Sequence, residues 1–316
     1  LRVVPGSEHL EARLRGPVLT IGNFDGIHAG HRSILETVVR RAAALSGEAA
    51  VYTFEPHPRK VLQRESAPGL LTTFEQKLEL LEEAGVDVVI AEPFTLEFAR
   101  TPSDVFVREV IYGRIRPQEV YVGYDFHFGR DRKGSMRQLT EMGPRLGFAV
   151  TIIPEVTFGG TDVNSTRIRS LLMEGSVEEA ATLLGRKYAI RGEVVSGEQR
   201  GRTLGFPTLN LTLENEVLPR AGVYAGVVRF LDDGVPPGGS SFGAVANIGR
   251  RPTFGRDDAL HVEAHLFEFD ADAYGRRVEL AFCARLRDEQ AFESVEALRT
   301  QIGADASRAR RELDKP

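Results

Sequence analysis

The sequence predicts an α/β protein in two parts: an N-terminal Rossmann-like parallel sheet, then a small antiparallel β-barrel with a terminal helix. Strand-like and helix-like segments alternate through the first half, the pattern of a parallel sheet covered on both faces. From Tyr188 strand-like segments follow one another with turn-rich pieces between them, as in a closed barrel. A chain of 316 residues is long enough for two cores.

The elements follow in order. "VLTIG" (18–22) is an apolar strand. "GHRSILETVVRRAAAL" (30–45) sets Ile34, Leu35, Val38, Val39 and Ala42 on one helical face, and Gly47 follows as a stop signal. "AAVYTF" (49–54) is the next strand, 73–85 a helix ended by Gly85, and 86–92 a strand. A helix over 103–115 and strands over 119–123 and 148–154 complete the sheet. Two short helices follow, 164–175 and 176–185, the second with Ser176 and Glu179 spaced as a capping box. The domain boundary is placed between 186 and 187, giving domains 1–186 and 187–316. Six strands then form the barrel: "YAIRGEVVSG", "PTLNLTL", "GVYAGVVRFL", "SFGAVANIG", "LHVEAHLFEF" and "RRVELAFCARLR". The last stretch, from "SVEALRTQIG" onward, is helical with an expected break near Gly303.

Hydrophobic content of 42% and charged content of 27% are ordinary for a globular protein. A net charge of −5 argues against a basic face for nucleic acid. The single cysteine, Cys283, forms no internal disulfide and lies in "LAFCARL", where a buried structural thiol is expected. No apolar run approaches the ~20 residues of a membrane span and no secretory leader is visible, so no membrane partner is expected and the cytoplasm is the expected location. The pattern carries no signal for an oligomeric state.

The first chemical motif is "GNFDGIHAGH" (22–31), directly after the first long strand. Ligands of such sheets bind beyond the carboxyl ends of the strands. His28 and His31 are three apart at a helix start and so share a face. Gly22, Gly26 and Gly30 allow close backbone approach, and the helix start offers free N–H groups and a positive dipole end. This describes an anion site suited to a triphosphate. Zinc would need three or four ligands, and no matching cluster follows; an exposed, idle histidine pair is the plain alternative. "NSTRIR" (164–169) is a second helix start, where Asn164 or Ser165 caps, Ser165 and Thr166 offer hydroxyls, and Arg167 and Arg169 offer guanidiniums to phosphate. By itself it is equally a well-capped helix with solvated arginines.

In the second half, "SGEQRGRTLGFPTLN" (196–210) lacks the Gly-Lys-Ser/Thr ending of a Walker loop but still offers backbone N–H groups to phosphates. Thr208 and Asn210 face the same way on a strand and supply oxygen ligands suited to Mg²⁺ accompanying ATP. A glycine-rich hairpin with ordinary strand residues is the alternative. Glu263 and His265 share one face of "LHVEAHLFEF", where Glu263 is either a proton acceptor for a substrate hydroxyl or part of a solvated face.

The combination of "GNFDGIHAGH", "TFEPHP" (53–58), "VGYDFHFGRDRKG" (122–134) and "NSTRIR" resembles the HxGH nucleotidyltransferase half of bacterial FAD synthetases, the bifunctional riboflavin kinase/FMN adenylyltransferases. The second half is similar to their riboflavin kinase module through "GRTLGFPTLN", "PRAGVYAG", "GAVANIGRRPTF", "VEAHLFEFDADAYGRRVEL" and "LRDEQAFESVEALRTQIGAD". The resemblance implies phosphorylation of riboflavin to FMN by ATP in the barrel and adenylyl transfer from ATP to FMN in the N-terminal half. It implies Mg²⁺ with ATP at each site and small-molecule partners only, with FMN and FAD as substrate and product rather than prosthetic groups. His28 and His31 would stabilise the transition-state phosphates, with Ser165, Thr166 and Arg167 holding the triphosphate from the other side. Asn23 and Asp25 would shape the loop or contact nucleotide, and Asp125 would contact flavin or nucleotide; His57, between two prolines, is expected to stiffen its loop. In the barrel, Thr208 and Asn210 would bind Mg-ATP, with Gly201, Arg202, Gly205, Phe206 and Pro207 around the nucleotide and Glu263 as the base on the riboflavin 5′-hydroxyl. "PTLN" has Leu209 where the family usually has alanine, on the face away from Thr208 and Asn210, so a packing change is expected. A single-activity relative or a non-catalytic flavin or nucleotide sensor would lack some of His28, Thr208, Asn210 and Glu263.

Overall fold

The computed structural model describes residues 1–197, 205–232, 234, 236, 238–250 and 260–315. Two compact units emerge, Leu1–Asn164 and Ser165–Pro316.

The first unit is built on six parallel strands: β1 (Arg2–Val4), β2 (Val18–Ile21), β3 (Ala49–Glu55), β4 (Val88–Pro93), β5 (Glu119–Gly123) and β6 (Ala149–Ile153). Their order is β1-β4-β3-β2-β5-β6. The chain steps from β2 to β3 to β4 in one direction, then returns to the other side of β2 with β5. That reversal opens a crevice beyond the carboxyl ends of β2 and β5, the place where open α/β sheets bind ligands. All four residues of β2 are buried, because helices cover both faces. Helix α1 (Ala29–Ala44) buries Ile34, Leu35, Val38 and Ala42, the face its periodicity predicts. The short α2 (Pro58–Leu62) follows β3, and α3 (Phe74–Glu83) starts with a capping box between Thr73 and Gln76. Helix α4 (Ser103–Val105) runs into a π-wound stretch, Phe106–Ile115. Helix α5 (Met136–Leu146) and strand β1 have no counterpart in the sequence reading.

The second unit opens with α6 (Ser165–Glu174) and α7 (Val177–Leu184). It continues as β7 (Ala189–Val195), β8 (Leu209–Leu213), β9 (Gly222–Phe230), β10 (Ser241–Arg250), β11 (Leu260–Leu266) and β12 (Arg277–Arg287). These six strands close as an antiparallel barrel in the order β7-β8-β11-β10-β9-β12. Strict alternation along β12 puts Val278, Leu280, Phe282, Ala284 and Leu286 inward or against other elements.

Three local expectations fail. Cys283, expected to be buried, is only half-buried, because strand alternation turns Phe282 and Ala284 inward and Cys283 to the other face. Ser176 caps α7 by position but makes no side-chain cap bond: with φ −81° and ψ 64° it lies outside the extended region from which a capping side chain reaches the first-turn N–H groups. The terminal helix α8 (Val295–Leu313) runs unbroken through Gly303. Packing decides this: Ala306, Ala309 and Leu313 lie on Val223, Val245 and Leu286 of the barrel, and the bidentate Arg287–Asp305 pair fastens the helix in its middle. That gain exceeds the ~1 kcal/mol helical penalty of one glycine. Helices α6 and α7 group with the barrel because Arg285 runs past Gly175, where a Cβ would sit 2.6 Å from its Nε, and Arg285 N donates to Glu178.

Candidate active sites

The first site lies in the crevice beyond β2 and β5. Its loop turns sharply: Phe24 (φ 50°) and Ile27 (φ 38°) are left-handed yet buried, and Gly26 has φ 80°. A Cβ on Gly26 would lie 2.7 Å from Leu71 Cδ1, so only glycine fits. Asp25 is buried and its Oδ1 accepts from the N–H groups of Leu71 (2.9 Å) and Thr72 (3.4 Å), while Gly26 N donates to Thr72 Oγ1. Asp25 therefore clasps the loop to the start of α3. Asn23 is exposed, and its carbonyl accepts from Thr53 Oγ1.

That clasp presents His28 at the N-cap of α1, where its ring nitrogen accepts from His31 N at 3.4 Å. The two imidazoles stack, centroids 3.7 Å apart and tilted by 20°. His31 Nδ1 is sealed from solvent with no hydrogen-bond partner. Burial first, then His28 and Lys77, hold its pKa well below the ordinary imidazole value. Lys77 is itself buried, which lowers its pKa, against Glu55 and Asp25. A preorganised imidazole pair at a helix start offers donors to phosphate oxygens without reorganisation. A Cβ on Gly30 would lie 3.5 Å from the carbonyl of Val163, so the chain passes this motif one residue before Asn164. Helix α6 begins at Ser165, which puts Asn164 at the cap position and Ser165, Thr166 and Arg167 in the first turn.

Across the crevice Asp125 is exposed and folds back: the Cβ position of Gly123 is 3.4 Å from Asp125 Oδ1 and 3.7 Å from Ile34 Cδ1 of α1. His57 caps α2 by accepting from Arg59 N at 3.1 Å. The sequence reading missed a phenylalanine cluster here, in which Phe106 and Phe128 are buried core and Phe54, Phe98 and Phe126 pack against it. Phe54, Phe94, Phe98, Phe106, Phe128 and Phe126 form an unbroken chain of ring contacts at 5.4–6.2 Å. The eighteen phenylalanines and absent tryptophan of the composition were its signal.

The second site lies on the outer face of the barrel. Cross-strand register aligns Asn210 (β8) with Glu263 (β11), and Glu263 with Asn247 (β10). Residues directly opposite stand ~5 Å apart on one face, so the carboxylate sits between two carboxamides. Leu209 pairs with fully buried Ala264 and points inward, as its alternation predicts. The Asn210 carboxamide lies over Gly197, where a Cβ would sit 2.1 Å from its Nδ2. Beside this row His265 Nδ1 meets the carbonyl of Pro207 at 2.8 Å, and its ring meets Phe206 at 5.3 Å. Gly201 and Arg202 lie outside the described residues. Elsewhere in this unit Leu218, Arg220, Leu260, Asp288 and Glu289 help line a cleft of about 590 Å³.

A parallel sheet with a histidine pair at a helix start, joined to a barrel with a carboxylate aligned between two carboxamides, has the form of a two-site transferase. A family model described as FAD synthetase matches residues 10–167, and one described as riboflavin kinase matches 184–313. The chain belongs to the bifunctional riboflavin kinase/FMN adenylyltransferase family. Relatives of that name are 37% identical in Haemophilus influenzae over 98% of both chains. The Pseudomonas fluorescens relative is 39% identical over 98% of this chain and 97% of its own, and the Bacillus subtilis relative 34% over 92% and 91%. A crystal structure titled a macrolide-efflux protein from Streptococcus pneumoniae is similar with a TM-score of 0.85 and 28% identity, covering 98% of this chain and 99% of its own. Among the described residues no helix is long and apolar enough to cross a membrane.

Proposed function

We propose that the chain makes FAD from riboflavin in two ATP-dependent steps, phosphorylation by residues 187–316 and adenylyl transfer by residues 1–186. The observation that carries the reading is that each half holds its own preorganised site. His28, Thr208, Asn210 and Glu263, some of which a single-activity enzyme or a sensor would lack, are all present.

In the barrel the riboflavin 5′-oxygen attacks the γ-phosphorus of ATP, Glu263 takes the hydroxyl proton, and ADP leaves. Thr208 and Asn210 fit the magnesium that accompanies ATP: both are hard oxygen donors on one face, and the absence of a side chain at Gly197 leaves the space the Asn210 carboxamide occupies. When bound, that ion neutralises phosphate charge. Phe206 and Pro207, anchored by His265, flank the nucleotide together with Gly201, Arg202 and Gly205.

In the N-terminal half an FMN phosphate oxygen attacks the α-phosphorus of a second ATP, and pyrophosphate leaves. The nucleophile is already ionised, so the residues position and neutralise. His28 and His31 donate to the phosphates, Ser165, Thr166 and Arg167 grip the triphosphate, and Asp125 meets the nucleotide or flavin. The partly exposed rings of this cluster, Phe54, Phe94, Phe98 and Phe126, take the isoalloxazine ring, a flat apolar group with a preference for stacking. Incubation of the enzyme with riboflavin, ATP and Mg²⁺ tests the scheme by product analysis: FMN, then FAD and pyrophosphate, are expected in that order. FAD appearing with no FMN intermediate, or no FMN at all, would remove the kinase step.

A further inference from the structure

We infer that His265 is a positioning residue of the kinase half: by gripping the peptide that joins Pro207 to Thr208, it holds the Thr208 hydroxyl in place for the magnesium–nucleotide complex. This deepens the phosphorylation reading above and rests on it. The two oxygen donors of that reading are held unequally. Asn210 lies inside β8, paired with Val195 on one side and Glu263 on the other. Thr208 lies one residue before the strand begins at Leu209, and the pairing of β8 with β11 stops at Leu209 and Ala264. Pro207 explains the stop, because it has no N–H with which to continue the ladder.

A side chain takes over where the ladder ends. His265 Nδ1 lies 2.8 Å from the Pro207 carbonyl oxygen. A carbonyl only accepts, so Nδ1 carries the proton and donates. That carbonyl belongs to the peptide whose nitrogen is that of Thr208, and a planar peptide held at its oxygen fixes the direction in which the next residue departs. The imidazole is itself held. Its ring meets Phe206 edge-on at 5.3 Å and 84°, and Phe267 at 6.0 Å and 75°. Phe267 is buried in the cluster that α8 covers, with Arg310 of that helix 4.1 Å over its ring. Phe206 Cζ lies 4.0 Å from the Cβ position of Gly303 in the same helix. His265 is therefore set between two rings that α8 backs, two residues along β11 from Glu263 and on the same face. One strand thus carries both the base and the side chain that sets an oxygen donor on the neighbouring segment.

The test measures FMN formation at varied MgATP and at varied riboflavin in His265→Leu and His265→Asn. Leucine fills the space between the rings without a donor, whereas asparagine carries an N–H close to the Nδ1 position. His265→Leu is expected to raise KM for MgATP about fivefold to tenfold, the worth of one hydrogen bond, with KM for riboflavin unchanged, since a contact to the nucleotide alone is lost. His265→Ala, which removes the donor with no added bulk, should behave like the leucine variant, and His265→Asn should recover most of the factor. In a Thr208→Val background His265→Leu should add less than about twofold, because the hydroxyl it positions is already gone. A wild-type KM for MgATP in both donor-less variants, no recovery by asparagine, or independent effects of the Thr208 and His265 substitutions would each overturn the inference while the wild-type enzyme still makes FMN. A wild-type enzyme that makes no FMN overturns the kinase reading and this inference with it.

Discussion

Gly197→Ala isolates the geometry of the kinase site. The new methyl carbon would lie 2.1 Å from Asn210 Nδ2, 2.5 Å from Cγ and 2.7 Å from Oδ1. Ordinary contact begins near 3.4 Å, so the carboxamide must move by roughly 1.3 Å. The backbone of Asn210 is held in register with Val195 and Glu263, so the movement falls on the side chain that is proposed to hold the metal–nucleotide complex. A misplacement of about 1 Å costs on the order of a hundredfold, or about 2.7 kcal/mol of transition-state stabilisation. Steady-state FMN formation from riboflavin should fall by that factor, while FAD formation from supplied FMN stays at the wild-type rate. Wild-type phosphorylation by this variant would refute the reasoning, because the amide would then be free to move without consequence.

Three further outcomes are expected. Gly303→Ala should raise the melting temperature, since alanine is better by ~1 kcal/mol inside the unbroken α8; a lower melting temperature in thermal denaturation would show that the helix needs glycine there. Asp305→Ala should cost about 3 kcal/mol in denaturant unfolding, because it strands Arg287, which makes three hydrogen bonds of 2.7–3.1 Å to that carboxylate; a loss under 1 kcal/mol would mean the pair does not fasten α8. His31 is held below its unfolded value of 6.5, so only the unfolded chain takes up its proton just below that pH. Its contribution to stability is full above 6.5 and is lost as pH falls toward the native value, at up to about 1.4 kcal/mol per pH unit. Unfolding curves from pH 8 to 5 should therefore be steeper in pH for wild type than for His31→Phe, with His28 and Lys77 common to both; parallel curves would contradict a neutral buried His31.

Much of this architecture was legible because its signals are local. The apolar runs of β2, β3 and β5 and the stripe on α1 fall within a residue or so of their predicted bounds, since central parallel strands are apolar throughout. Strand β1 has three residues, too few for any period, and exists only by pairing with β4. Helix α5 hides behind Gly143 and Pro144, which read as breakers although both occupy its last turns. Ser176 shows the opposite error: the capping-box spacing is present and the bond is not. His28, His31 and Glu263 are legible as candidates because glycines, a helix start and strand alternation single them out. The phenylalanine cluster is not, because it gathers residues from four separate segments.

The central claim is that the two chemistries reside in two separate residue sets. It is tested most directly by a crossed assay of His28→Ala and Glu263→Ala, each supplied first with riboflavin and then with FMN. The account predicts that His28→Ala still forms FMN but loses FAD formation by a hundredfold or so, and that Glu263→Ala makes FAD from FMN but no FMN from riboflavin. Loss of both activities in each folded variant would contradict it.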